Sequence, residues 1–356
     1  LIATGRNKNL DFLRGTAILL VMAGHFLPGY FSTHIGWSGV DLFFVLSGFF
    51  VSGILFREYI KKGRIRAGRF LIRRGLKIWP LFYTSLFIQL CYLYFKSLLP
   101  GSSQVLTEIF FIQNYFPGFT GVTWSLGVEE QFYILAALVF TFLLNYLKGD
   151  KKVVAFCTII CIVCLAARFV VYNPGKGFNP YKTFYPLHLR ADSLCAGILI
   201  SWLYHFRKET LQQWVNKNRL WLCMLSVLLL LSLFIFPFYN GFILTVGFTL
   251  TYSGYAVVTI LMLFPVTGSG AGVFTTPLRT VYRFVAWVGF YSYAIYLFHV
   301  FIGFGVVNNF RKLTGLSGLW PLELIVFIAG NIIFGYFISR LVEQPVLRWR
   351  NRVYPD

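Results

Sequence analysis

Apolar runs close to twenty residues long recur along the whole chain, and they leave few folds open. An α-helix needs about twenty such residues to cross a hydrocarbon core roughly 30 Å thick. Ten runs qualify, at about 10–29, 38–56, 76–96, 126–147, 153–172, 189–206, 219–238, 242–264, 284–306 and 320–342. Of the 356 residues, 57% are hydrophobic and only 12% charged, where a soluble domain carries about 25% charge. The pattern therefore predicts an all-α, polytopic integral membrane protein with about ten transmembrane helices, organised as a single domain over residues 1–356. No internal repeat or low-complexity tail interrupts it, and no appended soluble domain is expected. The first run carries Asp11, Arg14 and His25 and lacks a small-residue cleavage site, so it reads as a span and not as a signal peptide.

A net charge of +20 invites a nucleic-acid partner, but the basic residues fall in alternate loops. Nine of them lie within 57–77, and with both chain ends and the loops near 150, 210 and 280 they place 25 of the 32 on one side. Lys96, Lys176, Lys182, Arg311 and Lys312 are the five on the other. By the positive-inside rule both termini are cytoplasmic. The charge is then an orientation signal, with membrane lipids and no nucleic acid as its implication.

Orientation gives each polar residue a depth. Arg14 and His25 are eleven residues apart in the first run, which in a helix is about 16 Å and close to three full turns, so they share a face. Arg14 is then near the cytoplasmic end and His25 in the outer half. Asp41 starts the returning second span on the outer side, and Glu129 and Glu130 fall in the first turn of the fourth. Arg190 begins the sixth, and His299 lies in the outer half of the ninth. Ionisable groups inside a bilayer are expensive and mark function by default. Their common level predicts a polar cavity in the outer half of the membrane.

Each group also has a plainer explanation. A lone histidine is commonly a hydrogen-bonded packing residue, but a neutral imidazole also takes a proton from a hydroxyl when an acceptor orients its other nitrogen. Two adjacent acids are favoured by a helix macrodipole, with Ser125 as cap, although one would suffice. Arg66, Arg69, Arg73 and Lys77 recur at helical spacing and read as a cationic stripe on a short interfacial helix, suited to lipid headgroups. Arg73 and Arg74 continue to the start of an apolar span, where paired guanidinium groups suit phosphate. Cys157, Cys161 and Cys164 share a helix face as packing residues, and no metal-ligand spacing accompanies His25.

Four stretches then fall into a familiar order: LDFLRGTAILLVMAGH (10–25), GVDLFFVLSGF (39–49), FLIRRGLKIWPLFY (70–83) and TWSLGVEEQFYIL (123–135). With weaker echoes at 189–197, 291–299 and 341–348, nearly the whole chain resembles acyltransferase family 3, polytopic enzymes that O-acylate bacterial cell-surface sugars. The resemblance implies a cytoplasmic acyl-CoA donor, acetyl-CoA foremost, in the bacterial cytoplasmic (inner) membrane. Its phosphates would meet Arg14, Arg73, Arg74 and the neighbouring Lys77. The acceptor would be a hydroxyl of a cell-surface polysaccharide or lipid-linked glycan, an O-antigen or exopolysaccharide among them. His25 is expected as general base, with Glu129, Glu130 or Asp41 as its partner. Trp124, Ser125, Tyr133, Arg190 and His299 are expected on the substrate side. A ping-pong route through acyl-His25 is the mechanistic rival, and a proton-coupled transporter using the same His, Glu and Arg residues is the alternative function.

Overall fold

The computed structural model describes residues 7–265 and 276–355, and among them there are helices and turns but no strand. Arg6, counted above with the basic residues of one side, lies outside the described residues. The helices are α1 (Lys8–Phe26), α2 (Gly39–Lys62), α3 (Ala67–Phe95), α4 (Ser102–Ile109), α5 (Trp124–Phe140), α6 (Asp150–Val171) and α7 (Pro180–Thr183). They continue as α8 (Leu187–Phe206), α9 (Lys208–Lys217), α10 (Arg219–Leu230), α11 (Ser232–Ile235), α12 (Phe248–Leu263), α13 (Thr276–Phe290), α14 (Ser292–Thr314), α15 (Trp320–Ile338) and α16 (Gln344–Val353).

Seven described helical stretches are long and apolar enough to cross a membrane, or eight if α9 and the stretch Arg219–Ile235, bent by 84°, count as one broken span. This is fewer than the ten expected. The first and sixth expected spans exist as α1 and α8, but the charges at their ends lower their apolar character. The ninth, expected at 284–306, is divided: a turn at Tyr291 ends α13, and α14 begins at Ser292.

Three local expectations change. The basic stripe belongs to no separate interfacial helix. Arg69, Arg73, Arg74 and Lys77 lie in the first half of α3, a helix of 29 residues that runs through Pro80 without stopping. At 1.5 Å per residue α3 is about 43 Å long, more than the roughly 30 Å thickness of a hydrocarbon core. The fourth span begins at Trp124 with Thr123 as N-cap, so Ser125 is not the cap. Glu129 and Glu130 are its sixth and seventh residues, past the first turn where a macrodipole account would place them.

The chain divides into two compact units of interleaved sequence. One comprises Leu1–Arg57, Lys151–Phe178 and His188–Ser292. In it α1 is capped at its start by Asn7, whose side chain accepts from the Asn9 N–H, and at its end by Leu27 ahead of Pro28, which disfavours helix at the preceding residue. Helices inside a bilayer gain little from hiding apolar surface, so close backbone approach at small residues holds them together. A methyl group on Gly15 of α1 would stand 2.0 Å from the Val285 carbonyl oxygen of α13, and one on Gly289 1.8 Å from that of Asp11. Gly48 of α2 and Gly197 of α8 make the same reciprocal contact, each 2.0 Å from a carbonyl of the other helix.

The other unit comprises Glu58–Asp150, Asn179–Leu187 and Tyr293–Asp356. It holds α3, α4, α5, α15, α16 and nearly all of α14. Tyr293 donates to the Ile78 carbonyl at 2.7 Å, tying α14 to α3. Arg311 grips Glu323 through two hydrogen bonds of 2.7 and 2.6 Å, closing the connection between α14 and α15.

Candidate functional site

In the first unit α1 is unbroken from Lys8 to Phe26, so Arg14 and His25 do lie on one face. Arg14 is partly buried, and His25 is exposed in the last turn. The His25 Nδ1 is 2.9 Å from the Val21 carbonyl oxygen one turn below. A carbonyl only accepts, which assigns the proton to Nδ1 and leaves Nε2 as the nitrogen with the lone pair. The acceptor that orients the ring is thus part of the backbone of α1 itself.

Asp41, expected beside His25, and Arg190, expected on the substrate side, are paired with each other. Arg190 Nη2 donates to Asp41 Oδ1 at 2.8 Å, and both side chains are only 1% exposed. The Arg190 guanidinium also lies 4.0 Å from the centre of the Phe248 ring. Next to them Arg168 donates to Asp192 at 2.7 Å, to the Leu189 and Thr245 carbonyls, and to Thr249. Two arginines and two aspartates therefore neutralise each other between α2, α6, α8 and α12. A charge kept out of water persists only with such partners, and here Asp41 and Arg190 partner each other.

In the second unit α3 and α5 build a polar cluster from both sequence motifs. Arg74 Nη2 donates to the Tyr133 hydroxyl at 2.5 Å, with its guanidinium 4.2 Å from the centre of that ring. Tyr133, 1% exposed, donates in turn to Glu129 Oε2, one helical turn earlier on α5. Glu130 points elsewhere: it is 7% exposed and accepts from the Trp79 indole N–H at 3.0 Å. The sequence reading set Arg74 at the cytoplasmic end and the glutamates at the outer one. The length of α3 and the start of α5 at Trp124 bring them to one level instead. Arg73 and Lys77 are partly buried nearby on α3.

The remaining substrate-side residues hold the structure together. Trp124 stacks on Tyr185 with ring centres 4.5 Å apart and meets Phe184 edge-on. Tyr296 donates to the Val122 carbonyl at 2.7 Å, so the 2.6 Å contact with Ser125 has the serine as donor. His299 is fully buried, its Nδ1 2.7 Å from the Tyr296 carbonyl oxygen. Trp124, Ser125 and His299 were expected at the substrate, and these are the contacts the structure gives them.

Sequence reasoning passed over Trp79, Tyr296 and Glu108. Trp79 stands inside the arginine motif and could have been noticed there, whereas nothing in the loop singles out Glu108. That carboxylate, fully buried in α4, accepts from the Thr120 N–H at 3.2 Å and from the Thr120 and Thr123 hydroxyls at 2.7 and 2.6 Å. Burial pushes the Glu108 carboxyl above its ordinary range, against the pull of these three bonds. Among the described residues, no group of three or more His, Cys, Asp or Glu could hold a metal ion.

The family model described as an acyltransferase domain matches residues 7–340. A peptidoglycan O-acetyltransferase of Listeria monocytogenes is 24% identical over 95% of the chain and 55% of its own length. A putative O-acetyltransferase of Staphylococcus aureus (strain MRSA252) is 26% identical over 98% and 59%. A putative peptidoglycan O-acetyltransferase of Bacillus subtilis is 25% identical over 95% and 54%. The chain thus spans between 54% and 59% of the length of these relatives. No solved structure matches it.

Proposed function

From the premise that this chain belongs to acyltransferase family 3, we propose that it is a membrane O-acyltransferase moving an acetyl group from acetyl-CoA to a hydroxyl of a cell-wall glycan. The names of the Listeria and Bacillus relatives favour peptidoglycan over an O-antigen or exopolysaccharide as the acceptor. The transporter alternative draws no support from the family or these relatives.

In this proposal α1 and α8 join the seven spans and the bent pair as membrane crossings of a single domain, ten in all, with both termini in the cytoplasm of a bacterial cell. The asymmetric placing of Lys and Arg supports that orientation. Arg73 and Lys77, both on α3, meet the donor's phosphates on the cytoplasmic side.

The observation that carries the chemistry is the hydrogen bond between His25 Nδ1 and the Val21 carbonyl. With the proton on Nδ1, Nε2 is the nitrogen that carries the lone pair, which supports histidine as the base. His25 Nε2 takes the proton of the acceptor hydroxyl while the hydroxyl oxygen attacks the thioester carbonyl carbon. The tetrahedral oxyanion collapses, the C–S bond breaks, and the imidazolium returns its proton to the departing thiolate. The ester remains on the glycan and His25 is restored.

The test is mass spectrometry of surface glycans from cells carrying the wild-type chain or His25→Ala at equal membrane levels. Acetyl esters should be present with the first and absent with the second. Unchanged acetylation with His25→Ala would remove histidine from the chemistry.

A further inference from the structure

Arg74 was expected to clamp phosphate, and its surroundings do not suit that task. Bidentate recognition of a phosphate needs two N–H groups along one edge of the guanidinium. Nη2 belongs to both edges that could serve, and one of its two N–H groups is taken by the Tyr133 hydroxyl. Nε, its neighbour on one edge, is buried and has no hydrogen-bond acceptor. One face of the group lies over the Tyr133 ring.

The direction of the hydrogen bonds is fixed by chemistry. Arginine can only donate, so the Tyr133 oxygen is its acceptor and the phenolic proton is directed at Glu129. Each bond polarises the next, and burial strengthens both. Of the three, Arg74 and Glu129 are partly exposed, while Tyr133 is sealed between them.

Resting on the acyl-transfer reading above, we propose that Arg74 and Tyr133 are positioning residues that aim the Glu129 carboxylate at the substrate, and that Arg74 takes no part in binding the donor's phosphates. Glu129 is the member of the chain that meets substrate. Removing either residue behind it leaves the carboxylate free to rotate without altering the donor site.

The experiment compares Tyr133→Phe, Arg74→Ala, Arg74→Lys and the Arg74→Ala/Tyr133→Phe double variant of the full chain. With acetyl-CoA, each single variant should lose about tenfold or more in kcat with KM within about twofold of wild type, and the double variant should be no slower than the worse single one. Arg74→Lys should recover part of the rate. The same losses should appear with acetyl-pantetheine, a donor that lacks the nucleotide phosphates. A defect of Arg74→Ala that shows as raised KM for acetyl-CoA and vanishes with acetyl-pantetheine would overturn the proposal. So would a normal rate in Tyr133→Phe. If the wild type uses neither donor, it is the acyl-CoA reading that fails. Surface-glycan acetylation in cells carrying the same variants, which depends on no assumed donor, then decides this one: equal losses in Arg74→Ala and Tyr133→Phe support it, and a loss in Arg74→Ala alone contradicts it.

Discussion

Asp41 and Arg190, 149 residues apart, form an ion pair closed off from solvent. Removing one charge strands the other, at a cost of about 3–5 kcal/mol, whereas replacing both with apolar groups of similar size is often close to neutral. Asp41→Asn should therefore lower the thermal midpoint of the detergent-solubilised protein markedly, and Asp41→Leu/Arg190→Met should restore most of it along with activity. A double variant that is stable yet inactive would make the pair part of the chemistry.

The seat of α1 on α13 depends on two missing side chains. Gly15→Ala forces a methyl into the Val285 carbonyl, and such overpacking costs roughly 1–3 kcal/mol. Because α1 carries both Arg14 and His25, we expect Gly15→Ala to depress activity more than stability. Paired measurements of turnover and thermal midpoint check this.

Glu108 predicts a pH dependence in the loop between α4 and α5. A carboxyl raised above its ordinary value of 4.5 binds its proton more tightly in the folded state than in the unfolded one. Its contribution to stability is then greatest below that value and declines as pH rises through the folded pKa. Hydrogen exchange across 110–123, corrected for intrinsic rates, should be better protected at acidic than at neutral pH. Glu108→Gln should abolish the difference.

Direct transfer leaves no acyl group on the enzyme. Incubation of the purified chain with labelled acetyl-CoA alone should give no covalent label, and label should appear on glycan only when both substrates are present. Acetyl-His25 trapped with donor alone would replace direct transfer with the ping-pong route.

The helices were legible in the sequence because membrane spans are read from length and apolarity, and the shared face of Arg14 and His25 followed from helix periodicity alone. Side-chain partnerships were not. Asp41 was read as a catalytic partner and Arg190 as a substrate contact, since an ionisable residue in a span looks the same from sequence whether it faces a substrate or another charge. Arg74 was placed too far from Glu129 because α3 starts at Ala67 and α5 at Trp124, ahead of the expected 76 and 126, and each residue shifts depth by about 1.5 Å. The hydroxyl chain from Ser125 through Tyr296 to Val122 joins residues far apart in sequence and left no local signal.

The most direct test of the central claim is acetyl transfer in vesicles reconstituted with the purified chain, labelled acetyl-CoA and a peptidoglycan-derived acceptor. The account predicts ester-linked label on the glycan with wild type and none with His25→Ala of equal helix content. Label that appears at the wild-type rate with His25→Ala would contradict it.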